Sequence, residues 1–150
     1  MGASNTSDSA FDAPTVDTVP WVPPIADAFT QPWWDACHAR QLLVRTCASC
    51  GRNHFPPRPS CPHCWSDQVT WHQVSGRGTL YTFSVVREND LAPFGENLPY
   101  VPAIVELEEG PRLMTSIVGS PSTAIAVGAL VEVVFVDRGH WTFPVFRIRR

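Results

Sequence analysis

The sequence contains no lysine, because all eleven of its basic residues are arginine. A lysine-free chain has no amine side chain that could form a Schiff base with a carbonyl substrate. It also lacks the phosphate-binding lysine of a P-loop. Charged residues make up only 17% of the 150 residues, and the formal net charge is −3. This balance gives no general attraction to nucleic acid or to an anionic membrane surface.

The sequence also lacks a run of about 18 consecutive apolar residues, which a membrane-spanning helix requires. Residues 1–12 have neither the basic start nor the apolar stretch of a secretory signal. We therefore expect a cytoplasmic protein with no membrane partner. In that reducing compartment, paired cysteines are metal ligands more often than they are disulfides.

Common catalytic motifs are missing as well. The sequence has no G-x-S-x-G nucleophile elbow, no H-E-x-x-H zinc motif and no glycine-rich phosphate loop. We therefore predict no catalytic residue in this chain. The remaining polar features are more simply explained by turns, surface or packing: the acidic cluster Glu106, Glu108 and Glu109, the isolated His72 and His140, and the segment Gly76-Arg77-Gly78.

Turn formers and short β-rich segments dominate what the sequence does contain. Fifteen prolines and nine glycines favour short strands and loops over long helices. In one segment Val101, Ala103, Val105 and Leu107 fall on a single strand face. Five short strands match an OB-fold barrel, whereas a β-sandwich fragment or another small barrel fits the spacing less well. The predicted strands are residues 78–88, 101–108, 113–118, 131–137 and 145–149.

The N-terminal part differs in texture from the rest. Residues 1–26 are rich in Ser, Thr, Asp, Ala and Pro, which predicts a disordered tail. Residues 27–46 favour a helical arm, with Thr30 as a candidate N-cap and helix-forming residues at 41–44. A tryptophan pair, Trp33 and Trp34, begins this arm. Either one of the two indoles faces a partner, or both pack within the chain.

Four of the five cysteines form two C-x2-C pairs that are separated by ten residues. Each pair turns its two sulfurs toward a common point, and two such knuckles form a tetrahedral S4 site that suits zinc. Four thiolates leave no open coordination position, so we expect the ion to be structural and not catalytic. The predicted zinc ligands are Cys47, Cys50, Cys61 and Cys64.

Three alternatives exist for this cysteine cluster. The metal could be iron in a rubredoxin-type site, the cysteines could be free or disulfide-bonded, or His54 or His63 could replace one of them. The fifth cysteine, Cys37, lies in the predicted helical arm. That setting favours a small buried hydrophobe, with a reactive thiol as the other interpretation.

These patterns together predict a mainly β protein with an N-terminal helical arm, a rubredoxin-like zinc ribbon and a five-stranded OB-fold barrel. The predicted segments are the tail 1–26, the arm 27–46, the ribbon 47–72 and the OB-fold 73–150. Zinc ribbons and OB-folds both occur in nucleic-acid-binding proteins. Exposed aromatics could stack on bases, but the acidic balance and the absent lysines oppose that function.

Several motifs occur in an order that resembles a known family. Their sequence is Cys47-Ala48-Ser49-Cys50-Gly51, then Phe55-Pro56-Pro57-Arg58, Cys61-Pro62-His63-Cys64 and Gly76-Arg77-Gly78-Thr79. The chain resembles the zinc-ribbon and OB-fold proteins associated with acyl-CoA metabolism, once catalogued as a domain of unknown function. The likeness runs from about residue 30 to residue 147.

This resemblance implies an accessory role beside an enzyme. Members of the family accompany thiolase-like proteins, and some sit beside hydratases of the hot-dog fold. In actinobacterial steroid side-chain degradation, a member pairs with a thiolase-like aldolase that cleaves a CoA thioester by retro-aldol chemistry. Similar archaeal proteins bridge an acetoacetyl-CoA thiolase and a hydroxymethylglutaryl-CoA synthase. The catalytic residues would then belong to the partner.

We therefore predict a non-catalytic accessory subunit of a thiolase-like CoA enzyme, with a retro-aldolase of steroid or lipid side-chain degradation as the specific expectation. Acyl-CoA would be bound through the complex. Two alternative functions are a stand-alone acyl-CoA-binding protein and a single-stranded nucleic-acid-binding OB protein. Arg77 and Arg87 could meet a CoA phosphate, but a solvated or interface arginine is the simpler interpretation.

Overall fold

The structure, a computed structural model, describes residues 23–120 and 122–149, so that the predicted tail is described only over residues 23–26. Short 3-10 turns lie at Phe94–Asn97 and Ser122–Ala124. No helix within the described residues is long and apolar enough to cross a membrane. The main elements are α1 (Gln31–His38), β1 (Leu42–Cys47), β2 (Asn53–His54), β3 (Val69–Val74), β4 (Arg77–Phe83), β5 (Val101–Leu107), β6 (Arg112–Ile117), β7 (Leu130–Arg138) and β8 (Trp141–Ile148).

Five strands close a barrel in the order β4-β5-β6-β8-β7, which confirms the predicted five-stranded barrel. Strand β5 shows the alternation that the sequence predicts, because every second residue from Val101 to Leu107 is buried. The last strand begins earlier than predicted, at Trp141 in place of Val145. It pairs with β7 from the pair Arg138 and Trp141 onward, so the β7–β8 hairpin is longer than the apolar pattern indicates.

A separate antiparallel sheet, in the order β2-β1-β3, carries the ribbon. Residues 41–44 were predicted to be helical, and this prediction is wrong, because Leu42 begins β1. Helix α1 already ends at His38, and Arg40 has a positive φ of 62°. Leu42 and Val44 are buried and pair with β3. Pairing with a strand distant in sequence therefore overrides local helix propensity.

The ribbon sheet and the barrel share one hydrophobic core. Leu42, Val44 and Val74 of the ribbon sheet belong to the same buried cluster as the barrel residues. The sheet extends from Leu42 to Val74, beyond the predicted ribbon bounds of 47–72, because β1 and β3 flank the two knuckles. The barrel contributes Leu80, Val101, Ala103, Val105, Leu107, Leu113, Ile117, Ile125, Val131 and Phe146.

Helix α1 lies against strand β8 of the barrel. The indole of Trp34 contacts the rings of Trp141 and Phe143, with centroid distances of 4.8 and 5.6 Å. The indole of Trp33 lies 6.0 Å from the ring of Phe55. Both members of the tryptophan pair are thus half-buried within the chain, in agreement with the packing alternative.

The start of helix α1 differs from the prediction in one detail. Thr30 occupies the N-cap position, but its side chain makes no capping hydrogen bond. The Thr30 hydroxyl donates instead to Oδ1 of Asp27 at 2.6 Å, and the same oxygen accepts the Thr30 N–H at 2.7 Å. Asp27 therefore organises the turn that leads into the helix. These hydrogen bonds lower the pKa of the Asp27 carboxyl, the one from the Thr30 hydroxyl most strongly.

Candidate metal centre

The four predicted ligand cysteines converge at the tip of the ribbon. Their sulfur atoms all lie within 4.8 Å of one another. The Sγ atoms of Cys47 and Cys64 are 3.6 Å apart, and those of Cys50 and Cys61 are 3.7 Å apart. Four sulfurs around a zinc ion, each about 2.3 Å from it, would stand roughly 3.8 Å from one another. The geometry and the all-thiolate donor set therefore fit a tetrahedral metal ion.

The two knuckles position these sulfurs with the same backbone hydrogen bonds. In the first knuckle the Cys47 N–H donates to the Arg52 carbonyl at 3.0 Å, and in the second the Cys61 N–H donates to the Ser66 carbonyl at 2.8 Å. The hydroxyl groups of Ser49 and Ser66 lie 2.7 Å apart and link the two turns. The repeated turn aims each sulfur pair at the same point.

The ionisation of the Cys47 and Cys64 thiols also favours a bound cation. Burial disfavours the Cys47 thiolate, but backbone N–H groups of Cys50 and Ser49 outweigh it and lower the pKa of Cys47 to about 6. The N–H of Ser66 acts in the same direction at Cys64, yet burial and the three neighbouring thiols raise the pKa of Cys64 to about 12. The Cys64 thiol therefore stays protonated near neutral pH when no cation is bound. A divalent cation at this point would offset the repulsion between neighbouring thiolates and so favour their ionised form.

Neither nearby histidine joins the sulfur cluster within the described residues. His54 is only 4% exposed and neither of its ring nitrogens makes a hydrogen bond. Burial is the largest cause that lowers the pKa of His54, and the positive charge of Arg45 adds to it. His63 is exposed at the outside of the second knuckle. The structure thus places His54 under the ribbon as a neutral packing residue.

Cys37 is fully buried in α1, away from the four sulfurs. Burial raises the pKa of its thiol to about 12. A thiol of that pKa is not a nucleophile at neutral pH, because the thiolate is the reactive form. The structure therefore favours the interpretation of Cys37 as a small buried hydrophobe.

Glu109 joins the ribbon to the barrel, a role that the sequence analysis missed. Its Oε1 accepts the Ser75 N–H at 2.7 Å, and its carbonyl oxygen accepts from the Asn53 amide at 3.0 Å. The second carboxylate oxygen is buried. Glu109 was predicted to lie in a solvated turn, and this prediction is wrong for its side chain. Three glutamates within four residues give no sequence signal for which one is inserted into the fold.

The segment Gly76-Arg77-Gly78 is packed against the barrel. Gly76 has a φ of +72°, and a Cβ atom at this position would lie 2.3 Å from a Val133 methyl group. A Cβ atom at Gly78 would lie 2.4 Å from the Glu106 carbonyl oxygen. Both glycines are required by close packing, which favours the structural interpretation over an anion site.

The outer face of the barrel pairs its aromatic and charged groups internally. The Arg112 guanidinium lies 3.5 Å from the centre of the Tyr81 ring, and its Nε donates to Glu106 at 2.6 Å. Phe94 contacts the ring of Tyr100, with a centroid distance of 6.1 Å. An OB-fold that binds single strands presents free aromatic faces along a basic groove. These contacts therefore disfavour nucleic-acid binding at this face.

The fold and the cysteine geometry define a zinc-ribbon and OB-fold protein. The family model for the rubredoxin-like zinc ribbon domain of ChsH2 matches residues 34–70, and the model for the C-terminal OB-fold domain of ChsH2 matches residues 71–136. A DUF35 domain-containing scaffold protein of Methanocaldococcus jannaschii is 41% identical over 106 residues, which are 68% of this chain and 73% of the relative. The chain belongs to this ChsH2/DUF35 family.

Curated relatives include subunits of CoA enzymes, and one solved relative is described as an aldolase. A chain of a solved structure described as an Ltp2-ChsH2(DUF35) aldolase shares 34% identity and a TM-score of 0.74, with 84% of this chain and 98% of that chain covered. The benzoylsuccinyl-CoA thiolase subunit BbsA of Thauera aromatica is 32% identical over 77 residues, about half of each chain.

A longer relative matches over part of its length. The probable enoyl-CoA hydratase alpha subunit of Thermomonospora curvata is 36% identical over 116 residues. These residues are 77% of this chain but only 36% of the relative. The chain thus spans about a third of the length of that hydratase subunit.

Proposed function

We propose that this chain is a non-catalytic accessory subunit of a thiolase-like CoA enzyme. The observation that carries this proposal is the likeness to the aldolase chain, 98% of which is matched at 34% identity. The relatives named as a scaffold protein and as a thiolase subunit support the same role. The hydratase relative carries less weight for this proposal, because the match covers only 36% of that protein.

The roles of the polar groups in the described residues are consistent with chemistry that a partner supplies. Asp137 binds the helix end through Arg40, Glu109 joins ribbon and barrel, and Glu106 binds Arg112. Each of these groups has a partner within the chain that explains its position. A subunit of this kind contributes shape and position to the complex, while the nucleophile and the general base belong to the enzyme.

The proposed ligands of a structural zinc ion are Cys47, Cys50, Cys61 and Cys64, whose sulfur spacing fits the ion. Zinc would give a rigid shape to the two knuckles, residues 47–52 and 61–66, in which only Cys47 and Cys61 are buried. That rigid surface would order the partner subunit or close part of its acyl channel. The metal therefore supplies structure and no reaction step.

The finer proposal is a retro-aldolase of steroid or lipid side-chain degradation, in the cytoplasm, with acyl-CoA bound through the complex. The description of the solved relative as an aldolase supports it. The thiolase subunit among the relatives keeps an acyl-transfer partner as the alternative within the same class.

The test is affinity purification of the tagged chain from its native host, with mass spectrometry of the proteins that elute with it. We expect a thiolase-like protein in near-stoichiometric amount, and we expect that protein to lose CoA-thioester cleavage activity when it is prepared alone. A zinc-loaded monomer without a partner would contradict the proposal. Tight binding of a CoA thioester by that monomer would instead establish the stand-alone acyl-CoA-binding function.

A further inference from the structure

The two knuckles of the ribbon have the same backbone turn but differ at one position. In the first, Gly51 follows Cys50, has a φ of +72° and donates its N–H to the Cys47 carbonyl at 2.9 Å. In the second, Trp65 follows Cys64, has a φ of +64° and donates its N–H to the Cys61 carbonyl at the same distance. Trp65 thus occupies the place that glycine takes in the other knuckle.

The fold gives no reason for a tryptophan at this position. The left-handed region is open to glycine without strain, whereas a bulky residue there is a backbone outlier. The Trp65 side chain is 83% exposed and so gains little packing in return. A strained backbone that holds a large apolar side chain in solvent points to a contact outside the chain.

The surroundings of Trp65 indicate what that contact is. The indole borders a shallow recess of about 330 Å³, lined also by Arg58, Pro59, Ser60 and Pro62. The prolines stiffen the walls of this recess. Charged groups on the knuckles are mostly positive, since Arg52 and Arg58 outnumber Asp67.

We propose that Trp65 is the anchor by which the ribbon docks on the thiolase-like partner subunit. This inference rests on the proposed function. The indole enters an apolar pocket on the partner, and carboxylates at the rim of that pocket meet Arg52 and Arg58. A tryptophan enclosed in this way, with arginines around it, is the typical centre of a protein–protein interface.

A single exposed ring fits a protein pocket better than a nucleic-acid strand. Single-stranded nucleic acid stacks on successive aromatic side chains along a basic groove. In the described part of the ribbon, the other aromatic rings are covered. Phe55 contacts Trp33, and Trp71 is stacked with the guanidinium of Arg45 at 4.9 Å.

The test compares wild-type chain and Trp65→Gly in binding to the purified thiolase-like protein from the same host, measured by calorimetry. We expect Trp65→Gly to raise the dissociation constant at least about 30-fold, as for a central interface residue. Zinc content should stay at about one ion per chain. The unfolding temperature should not fall by more than about 3 °C, because glycine suits the backbone. The conservative variant Trp65→Phe should bind with intermediate affinity.

Met114→Ala is the matched control, because Met114 is an apolar side chain that is 78% exposed on the barrel. We expect this variant to change the dissociation constant less than about threefold. Equal binding by wild type and Trp65→Gly would overturn the inference and leave the proposed function intact. A wild-type chain that binds no thiolase-like protein would overturn the proposed function. Self-association or oligonucleotide binding that depends on Trp65 would also overturn the inference, as would zinc loss in Trp65→Gly.

Discussion

At the residue scale, the left-handed position after each second cysteine contrasts two energetic demands. Holding a non-glycine residue in this region costs roughly 1–3 kcal/mol. Glycine in turn loses more chain entropy on folding, about 0.4–1 kcal/mol. At position 65 the strain of a non-glycine residue therefore equals or exceeds the entropy cost of glycine. The exposed indole of Trp65 adds little packing energy to offset that strain. Stability alone therefore does not select tryptophan at this position.

Gly78 is the opposite case, because close contacts in the fold leave no space for any side chain at this position. A Cβ atom there would lie 2.4 Å from the Glu106 carbonyl oxygen and 2.9 Å from a Val105 methyl group. We expect Gly78→Ala to lower the free energy of unfolding by about 1–3 kcal/mol, because β4 must shift away from β5. Urea denaturation measures this loss. Gly119→Asn is the control, since no atom lies within 4 Å of its Cβ position and asparagine tolerates its φ of +55°.

The control is expected to change the unfolding free energy by no more than about 0.5 kcal/mol. Equal stabilities of Gly78→Ala and the wild-type chain would mean that β4 and β5 do not approach as closely as the structure has them.

At the element scale, polar contacts fix the end of helix α1 on the barrel. Oδ2 of Asp137 binds Arg40 at 2.5 Å, and its Oδ1 accepts from the Thr142 hydroxyl at 2.8 Å. The hydrogen bond from Arg40, and then the one from Thr142, lower the pKa of the Asp137 carboxyl below its usual 3.8. The aromatic contact of Trp34 with Trp141 also joins α1 to β8, so it too requires the helix to lie at this place on the barrel.

The lowered pKa of Asp137 predicts the pH dependence of this docking. A carboxyl whose folded pKa lies below its unfolded pKa stabilises the fold above the unfolded value, and loses that effect as pH falls from 3.8 through the folded pKa. We expect Asp137→Asn to unfold at a lower urea concentration than the wild type at pH 7. The difference should shrink as the pH falls below about 4. Tryptophan fluorescence follows the transition.

Asp67→Asn is the control for this experiment. Asp67 is exposed and contacts Gln68 within its own loop, so its variant should follow the wild-type curve. Acid also releases metal from thiolates, and this effect is common to all three chains. The difference between Asp137→Asn and wild type is therefore the informative quantity, and a constant or absent difference across the pH range would contradict the prediction.

At the scale of the whole molecule, one core serves the ribbon sheet and the barrel, while the knuckles depend on the metal. Leu42, Val44 and Val74 are buried together with the barrel residues. In the segment between the two cysteine pairs, only the apolar side chain of Phe55 packs against this core. Loss of the metal is therefore expected to unfold the knuckles and leave the barrel and its attached sheet formed.

Cys61→Ser tests this division of the molecule. Serine removes one of four thiolate ligands, so the variant should lose zinc and show fast amide hydrogen exchange at residues 48–52 and 60–68, while the amides of the barrel and of its attached sheet stay protected. Binding to the thiolase-like partner should be lost with the knuckle structure. Cys37→Ser changes a cysteine outside the cluster and should retain zinc. A Cys61→Ser chain without zinc that still forms the complex would contradict the proposed docking role of the ribbon.

Local sequence was sufficient for the features that depend on short-range geometry. The C-x2-C spacing fixes where the two sulfurs of a knuckle point. The two such pairs, which begin at Cys47 and at Cys61, therefore predicted the cluster of four sulfurs. Alternating apolar residues in β5 predicted both its strand form and its buried face, because side chains alternate along a strand. The five-strand count of the barrel followed from the same pattern and the turns between segments.

Only the tertiary structure decided the features that depend on contacts between distant segments. Residues 41–44 favour helix locally, but Leu42 and Val44 gain burial and hydrogen bonds when β1 pairs with β3, about 30 residues away. Among three neighbouring glutamates, Glu109 alone meets Ser75 across the junction. The two knuckles have different residues after their second cysteines, and their identical turns become visible only when the chain is folded. Propensity and periodicity act within a few residues, whereas these outcomes depend on which distant groups the fold brings together.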